Sequence, residues 1–98
     1  MKYRLIIKEQ AKFQITDVAI YYNKQREGLG FEFWDDLEIA IQDILVNPLG
    51  YQIRQEAYRT KLIKPFPYLL IFELIGEDVI VYQCIGGKEN PLKRHKKS

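Results

Sequence analysis

Apolar residues at Ala11, Ile15, Val18, Ala19 and Tyr22 recur at steps of three and four, with Lys12, Gln14, Asp17, Asn23 and Lys24 between them. That period predicts an amphipathic helix over residues 9–27. Phe13, Ile20 and Tyr21 lie off the stripe, so part of its outer face is apolar. Gly28-Leu29-Gly30 breaks it, because glycine supplies the positive φ that a helix end and a tight reversal need. A second helix is predicted over residues 31–46, with Phe33, Trp34, Leu37, Ala40, Ile41, Ile44 and Leu45 on one face. Acids occupy much of the remainder, and those near its start complement the helix dipole. Asn47-Pro48 stops it. The two helices should form an antiparallel hairpin.

On either side of the helices the period changes. Residues 3–8 read as one short strand, and residues 58–64, 68–75 and 79–85 as three more, after a looser connection over 50–57. Gly76-Glu77-Asp78 is a compact turn that makes the last two an antiparallel hairpin. Leu69-Leu70-Ile71-Phe72 and Val79-Ile80-Val81-Tyr82 are apolar on both pleat faces, and such strands need cover on both sides. The order β-α-α-β-β-β therefore predicts an α+β fold: a helical hairpin packed on one face of a twisted antiparallel sheet of four strands. Two helices cover only one face. The other is expected to hold apolar surface for a partner.

Composition narrows the class. Ninety-eight residues make one domain, assigned to residues 1–92, with 93–98 as a basic tail. Five cations, Lys88, Lys93, Arg94, Lys96 and Lys97, stand against Glu89 at the C-terminal end, so the formal charge of +2 is mostly tail. Such a tail suits phosphate or an acidic partner surface. Cys84 is the single cysteine, so an internal disulfide or a thiolate metal cluster cannot form. The apolar run near the N-terminus is far too short for a signal sequence or a membrane span, and a cytoplasmic protein is expected.

Candidate chemistry is sparse. There is no glycine-rich phosphate loop, no metal-ligand set and no Ser-His-Asp constellation, and His95 lies in the tail; neither a metal nor a cofactor is expected. Arg59 and Lys61 share one pleat face of their strand, while Tyr58, Thr60 and Leu62 take the other. For a metal-independent ribonuclease the catalytic candidates are Arg59, Lys61 and Lys88, which would stabilise a pentacoordinate phosphate. Contacts to a nucleic acid or another target fall to Arg54, Arg59, Lys93 and Arg94. The plainer expectation for Arg59 is an ion pair with Glu73 across the sheet. Glu32, Asp35, Asp36 and Asp43 read as a solvated helix face. Tyr21, Tyr22, Phe31, Phe33 and Trp34 read mainly as packing around the 28–30 corner, with base stacking as the functional alternative.

The ordered set Ala11, Tyr21-Tyr22, Leu29-Gly30, Phe33, Leu37, Ile44, Asn47-Pro48, Tyr58-Arg59 and Phe66-Pro67-Tyr68 resembles the RelE/ParE superfamily of bacterial type II toxins, and its ParE-like, plasmid-stabilisation branch. The resemblance spans almost the whole chain. It implies a toxin neutralised by a cognate antitoxin, whose wrapping segment would cover Phe13, Ile20 and Tyr21 on the first helix and Leu69, Ile71, Val79 and Val81 on the sheet. It also implies one of two targets: RelE-like members cleave messenger RNA on the ribosome, whereas ParE-like members poison DNA gyrase. The helical hairpin favours gyrase. Many plasmid-stabilisation relatives carry a histidine and an arginine where aligning on Asn90-Pro91 puts Gly86 and Glu89. Glutamate would repel a phosphate. A toxin acting by binding is therefore the leading reading, a ribosome-dependent endoribonuclease the second, and a detoxified relative that retains antitoxin binding the third.

Overall fold

The chain runs β1 (Arg4–Ile7), α1 (Glu9–Gln25), α2 (Leu29–Val46), β2 (Ile53–Gln55), β3 (Tyr58–Ile63), β4 (Tyr68–Ile75) and β5 (Asp78–Gly86), with a 3-10 turn at Pro48–Gly50. The structure is a computed structural model and describes residues 2–86. Both helices bury the faces their period marks out: Ala11, Ile15, Val18 and Ala19 from α1, and Phe33, Leu37, Ala40, Ile41, Ile44 and Leu45 from α2. Trp34 departs from the expected stripe and is 45% exposed.

The turn between the helices is tighter than the glycine pattern suggests. Gly28 alone takes a positive φ, of 90°, and α2 begins at Leu29. Gly30 lies inside α2 and serves close approach, because a Cβ there would meet the carbonyl oxygen of Ala19 at 2.5 Å. Asn23 of α1 caps the start of α2: its Oδ1 accepts the backbone N–H groups of Gly28 at 2.9 Å and Gly30 at 3.3 Å.

The strands form one sheet in the order β1-β5-β4-β3-β2. The expected α+β arrangement of a helical hairpin on a sheet stands, with two differences. First, the sheet is mixed, because β1 pairs in parallel with β5 while the other neighbours are antiparallel. Tight turns force reversal; the long helical connection after β1 does not, so β1 docks along the open edge of β5 in β5's own direction. Second, residues 53–55, expected in a loose connection, add a fifth strand. Glu56 turns the chain back on β3 with φ 53°, a left-handed conformation that a glutamate does not advertise.

Helix-side residues of the sheet, Ile63, Leu70, Phe72, Val79, Val81 and Cys84, join the helical stripes and Phe66 in one core. Phe33, Phe66, Tyr22 and Tyr68 stack at its upper end, with ring centroids 4.7–6.1 Å apart. Beside it β5 carries a bulge. Phe72 pairs with Val81 and Ile71 with Gln83, so Tyr82 has no partner across β4. The N–H of Cys84 just beyond donates to Gln14 Oε1 of α1 at 2.8 Å, which fastens the bulge to the helix layer.

Candidate functional site

Strand β3 divides the candidate chemistry between two faces. Arg59 pairs with Phe72, Lys61 with Leu70 and Ile63 with Tyr68, so its odd-numbered residues share the helix side with core positions. There the two cations are engaged. Arg59 Nη1 donates to the backbone carbonyl of Tyr51 at 2.5 Å. Lys61 Nζ lies 3.5 Å from Asp43 Oδ2 of α2 and 5.2 Å from the centroid of the Tyr51 ring. The pair therefore ties the 48–51 turn and the end of α2 to the sheet. The alternative expectation for Arg59, pairing with Glu73, fails for the same reason of parity: Glu73 points to the opposite face.

On that opposite face the groups are aromatic and acidic. Tyr82 donates its hydroxyl to Glu73 Oε1 at 2.8 Å, and its ring meets Tyr58 edge to face at 5.5 Å. The rings come from β3 and β5 and meet across β4, where Ile71 is 3% exposed. The Glu73 hydrogen bond, with burial second, pushes the Tyr82 hydroxyl up to about 12. Arg4 is paired with Asp78 at 2.8 Å. On this face the Arg4 charge is thus taken up by Asp78, and Glu73 adds a carboxylate beside the tyrosine pair.

Of the other sequence candidates, Arg54 is exposed on β2. Lys88, Lys93 and Arg94 lie outside the described residues, as does Glu89. Phe13, Ile20 and Tyr21 stand on the outside of α1, exposed by 66%, 50% and 53%. Phe31 and Trp34 add to this surface from α2, so the expectation that these aromatics pack around the corner holds only for Tyr22 and Phe33. The sheet candidates need correction. Val79 and Val81 are completely buried beneath the helices, where parity places them beside Phe72, and cannot meet a partner. Ile71 is buried on the open face, and only Leu69 of the four retains partial exposure.

One feature escapes a reading of the separate elements. Helix-side residues Leu5 and Ile7 of β1, Lys12, Ile15 and Thr16 of α1, and Trp34, Asp35, Leu37, Glu38, Ile41 and Gln42 of α2 enclose a cavity of about 560 Å³. Thr16 and Trp34 continue it into a shallower cleft with Ile20, Gly30 and Phe31. It arises because β1 adds a strand beyond what two helices can cover. The unusual mark in the sequence is Trp34, the single tryptophan of the chain, beside Phe33 at the start of the stripe.

No family model and no curated protein matches the chain. Among solved structures it is similar to a chain of one described as the chromosomal ParDE TA system from P. aeruginosa, with a TM-score of 0.76 and 13% identity, over 87% of this chain and 96% of that one. At that identity the likeness is one of fold, and the chain has the ParE-like fold that its sequence resembles. Among the described residues no helix is long and apolar enough to cross a membrane.

Proposed function

We propose that this chain is the toxin of a toxin–antitoxin pair, that it acts in the cytoplasm by binding its target, with DNA gyrase as that target, and that a cognate antitoxin neutralises it. The observation that carries this reading is the division of β3. Arg59 and Lys61 are engaged against Tyr51 and Asp43 on the helix side, while the open face presents Tyr58, Thr60, Glu73 and Tyr82. A nuclease needs cations converging on the scissile phosphate, and a carboxylate facing outwards opposes that charge. The fold likeness to a ParDE structure supports a toxin role. The apolar exterior of α1, led by Phe13, Ile20 and Tyr21, supports an antitoxin that covers it.

The test is a search for a small reading frame beside this gene and induced expression with and without it, followed by plasmid topology and transcript ends. Growth arrest relieved by the neighbour, together with loss of gyrase supercoiling by the purified chain, is the expected result. Supercoiling that continues at excess protein removes gyrase. New transcript ends within translated codons would replace binding with ribonuclease action, and harmless expression of folded protein would mark a detoxified relative.

A further inference from the structure

The open face of the sheet sets one carboxylate among apolar groups. Glu73 of β4 is half-buried and pairs with Ile80 on β5, which pairs in turn with Ile6 on β1. On its other side, the register that sets Arg59 opposite Phe72 puts Tyr58 opposite Glu73. A row of Ile6, Ile80, Glu73 and Tyr58 therefore crosses the sheet, and Tyr82 joins it from the bulge of β5. Tyr82 donates its hydroxyl to Glu73 Oε1 at 2.8 Å, and its ring stands at 89° to that of Tyr58. The ion pairs of the described residues join Arg4 to Asp78, Arg26 to Glu32 and Lys61 to Asp43, and none uses Glu73. A tyrosine hydroxyl satisfies one carboxylate oxygen and neutralises no charge. The negative faces of two phenol rings add to the same potential, so carboxylate and rings together favour a cation.

We propose that the cluster of Tyr58, Glu73 and Tyr82 binds an arginine side chain of the target protein on which this chain acts. The planar guanidinium of arginine forks onto a carboxylate and stacks on a phenol ring at once, whereas the compact, strongly hydrated ammonium of lysine does neither as well. Its methylene stem suits the apolar shelf of Ile80 and Ile6, the latter 39% exposed. The charge that this face selects is thus opposite to that of a nucleic-acid backbone. The inference deepens the reading of a chain that acts by binding, naming the chemistry of the contact, and it rests on that reading only for the partner's role.

The probes are blocked glycine tripeptides whose central residue is arginine, lysine or citrulline, the last a neutral isostere of arginine. They are titrated to millimolar concentration into the full chain at low salt and followed by proton resonance. The arginine peptide should move the ring signals of Tyr58 and Tyr82, and its own methylene protons should shift upfield in the ring currents. It should bind at least about fivefold tighter than the citrulline twin, the effect of one exposed ion pair and one cation–π contact of ordinary strength, with lysine between them. Glu73→Gln should abolish the preference for arginine over citrulline. Tyr58→Phe keeps the ring and should bind as the parent does, whereas Tyr58→Leu should lose the upfield shift; the near-isosteric Glu73→Gln keeps the test decisive if the leucine variant does not fold. Equal binding of arginine and citrulline, or a Glu73→Gln chain that still prefers arginine, overturns the inference. Lysine bound as tightly as arginine would make this a site for any cation and overturn the assignment to arginine. Ring signals that move with protein concentration alone would put a second copy there, and signals moved in the free chain by Arg94→Gln would put the chain's own arginine there; either overturns the stated occupant. A harmless chain that selects the arginine peptide would remove the toxin reading and leave this one standing, and a toxic chain that ignores the peptide would do the reverse.

Discussion

Strand β3 supplies adjacent residues to two unlike surfaces. Arg59, Lys61 and Ile63 face the helices, while Tyr58, Thr60 and Leu62 face away. On the first side even the charged groups are structural: a carbonyl, a carboxylate and an aromatic ring take them up. On the second side a tyrosine pair and a glutamate sit over Ile71, which with Ile85 is buried on that face, and exposed aliphatic residues lie around them. The lesson is that residue type does not reveal which chemistry is available. The parity of the strand does, since a cation on the core-facing register must spend its charge holding the fold together, whatever it would do in solution.

The strongest way to break this contrast is to truncate one large residue on each side. Phe72 is fully buried on the helix side, and Phe72→Ala should cost about 3–5 kcal/mol through lost burial and a cavity. Leu62→Ala on the open side should cost under about 1 kcal/mol, because Leu62 is already 41% exposed. Denaturant midpoints measure both. Comparable losses would mean that the open face is a second core.

Arg59→Ala tests the same division with a charged group. The part-buried guanidinium bonds a main-chain carbonyl, so its loss should cost about 1.5–3 kcal/mol of stability. Thr60→Ala, one residue away and facing out, should stay within about 0.5 kcal/mol. If Arg59→Ala leaves the denaturant midpoint unchanged, the arginine is not structural and its candidacy as a target contact revives. A step smaller is Gln14→Ala, which removes the acceptor for the N–H of Cys84 beside the bulge and should cost about 1–2 kcal/mol, with faster amide exchange at Cys84.

Much of this was legible from the residues. The step of three and four from Ala11 to Tyr22, and from Phe33 to Leu45, marks the faces that are buried, and alternation places Arg59 and Lys61 together. The alternation did not say which way that pair points, because both pleat faces of residues 69–72 and 79–82 are apolar and either could have met the helices. Hence Val79 and Val81 look like a partner surface in the sequence and are core in the structure. Gly30 was misleading for a different reason: its need is the approach of Ala19, a contact eleven residues away that no local turn pattern records. The strand over residues 53–55 hid because its turn uses a glutamate at positive φ where glycine or asparagine would have announced a hairpin. The cavity at Trp34 needs the parallel docking of β1, which follows from which sheet edge remains open and not from any one segment.

The smallest effect separates the two faces by their titration. Cys84, on the helix side, is pushed up to about 12 by burial alone, whereas Tyr82, on the open side, reaches about 12 chiefly through its hydrogen bond to Glu73. Both folded values exceed those of the unfolded chain, near 9 for the thiol and 10 for the phenol. The folded state thus holds these protons more tightly. The stability they contribute is complete below about pH 9 and is lost as pH rises through 12. Glu73→Gln removes the charged acceptor and should act on one face only: the late tyrosine in a phenolate absorbance titration moves down towards 10, the thiolate absorbance of Cys84 keeps its position, and stability near neutral pH changes by under about 1 kcal/mol. A thiol that moves together with the tyrosine would mean that the two faces are electrostatically one site. A tyrosine that stays near 12 would mean that packing against Tyr58, and not Glu73, holds its proton.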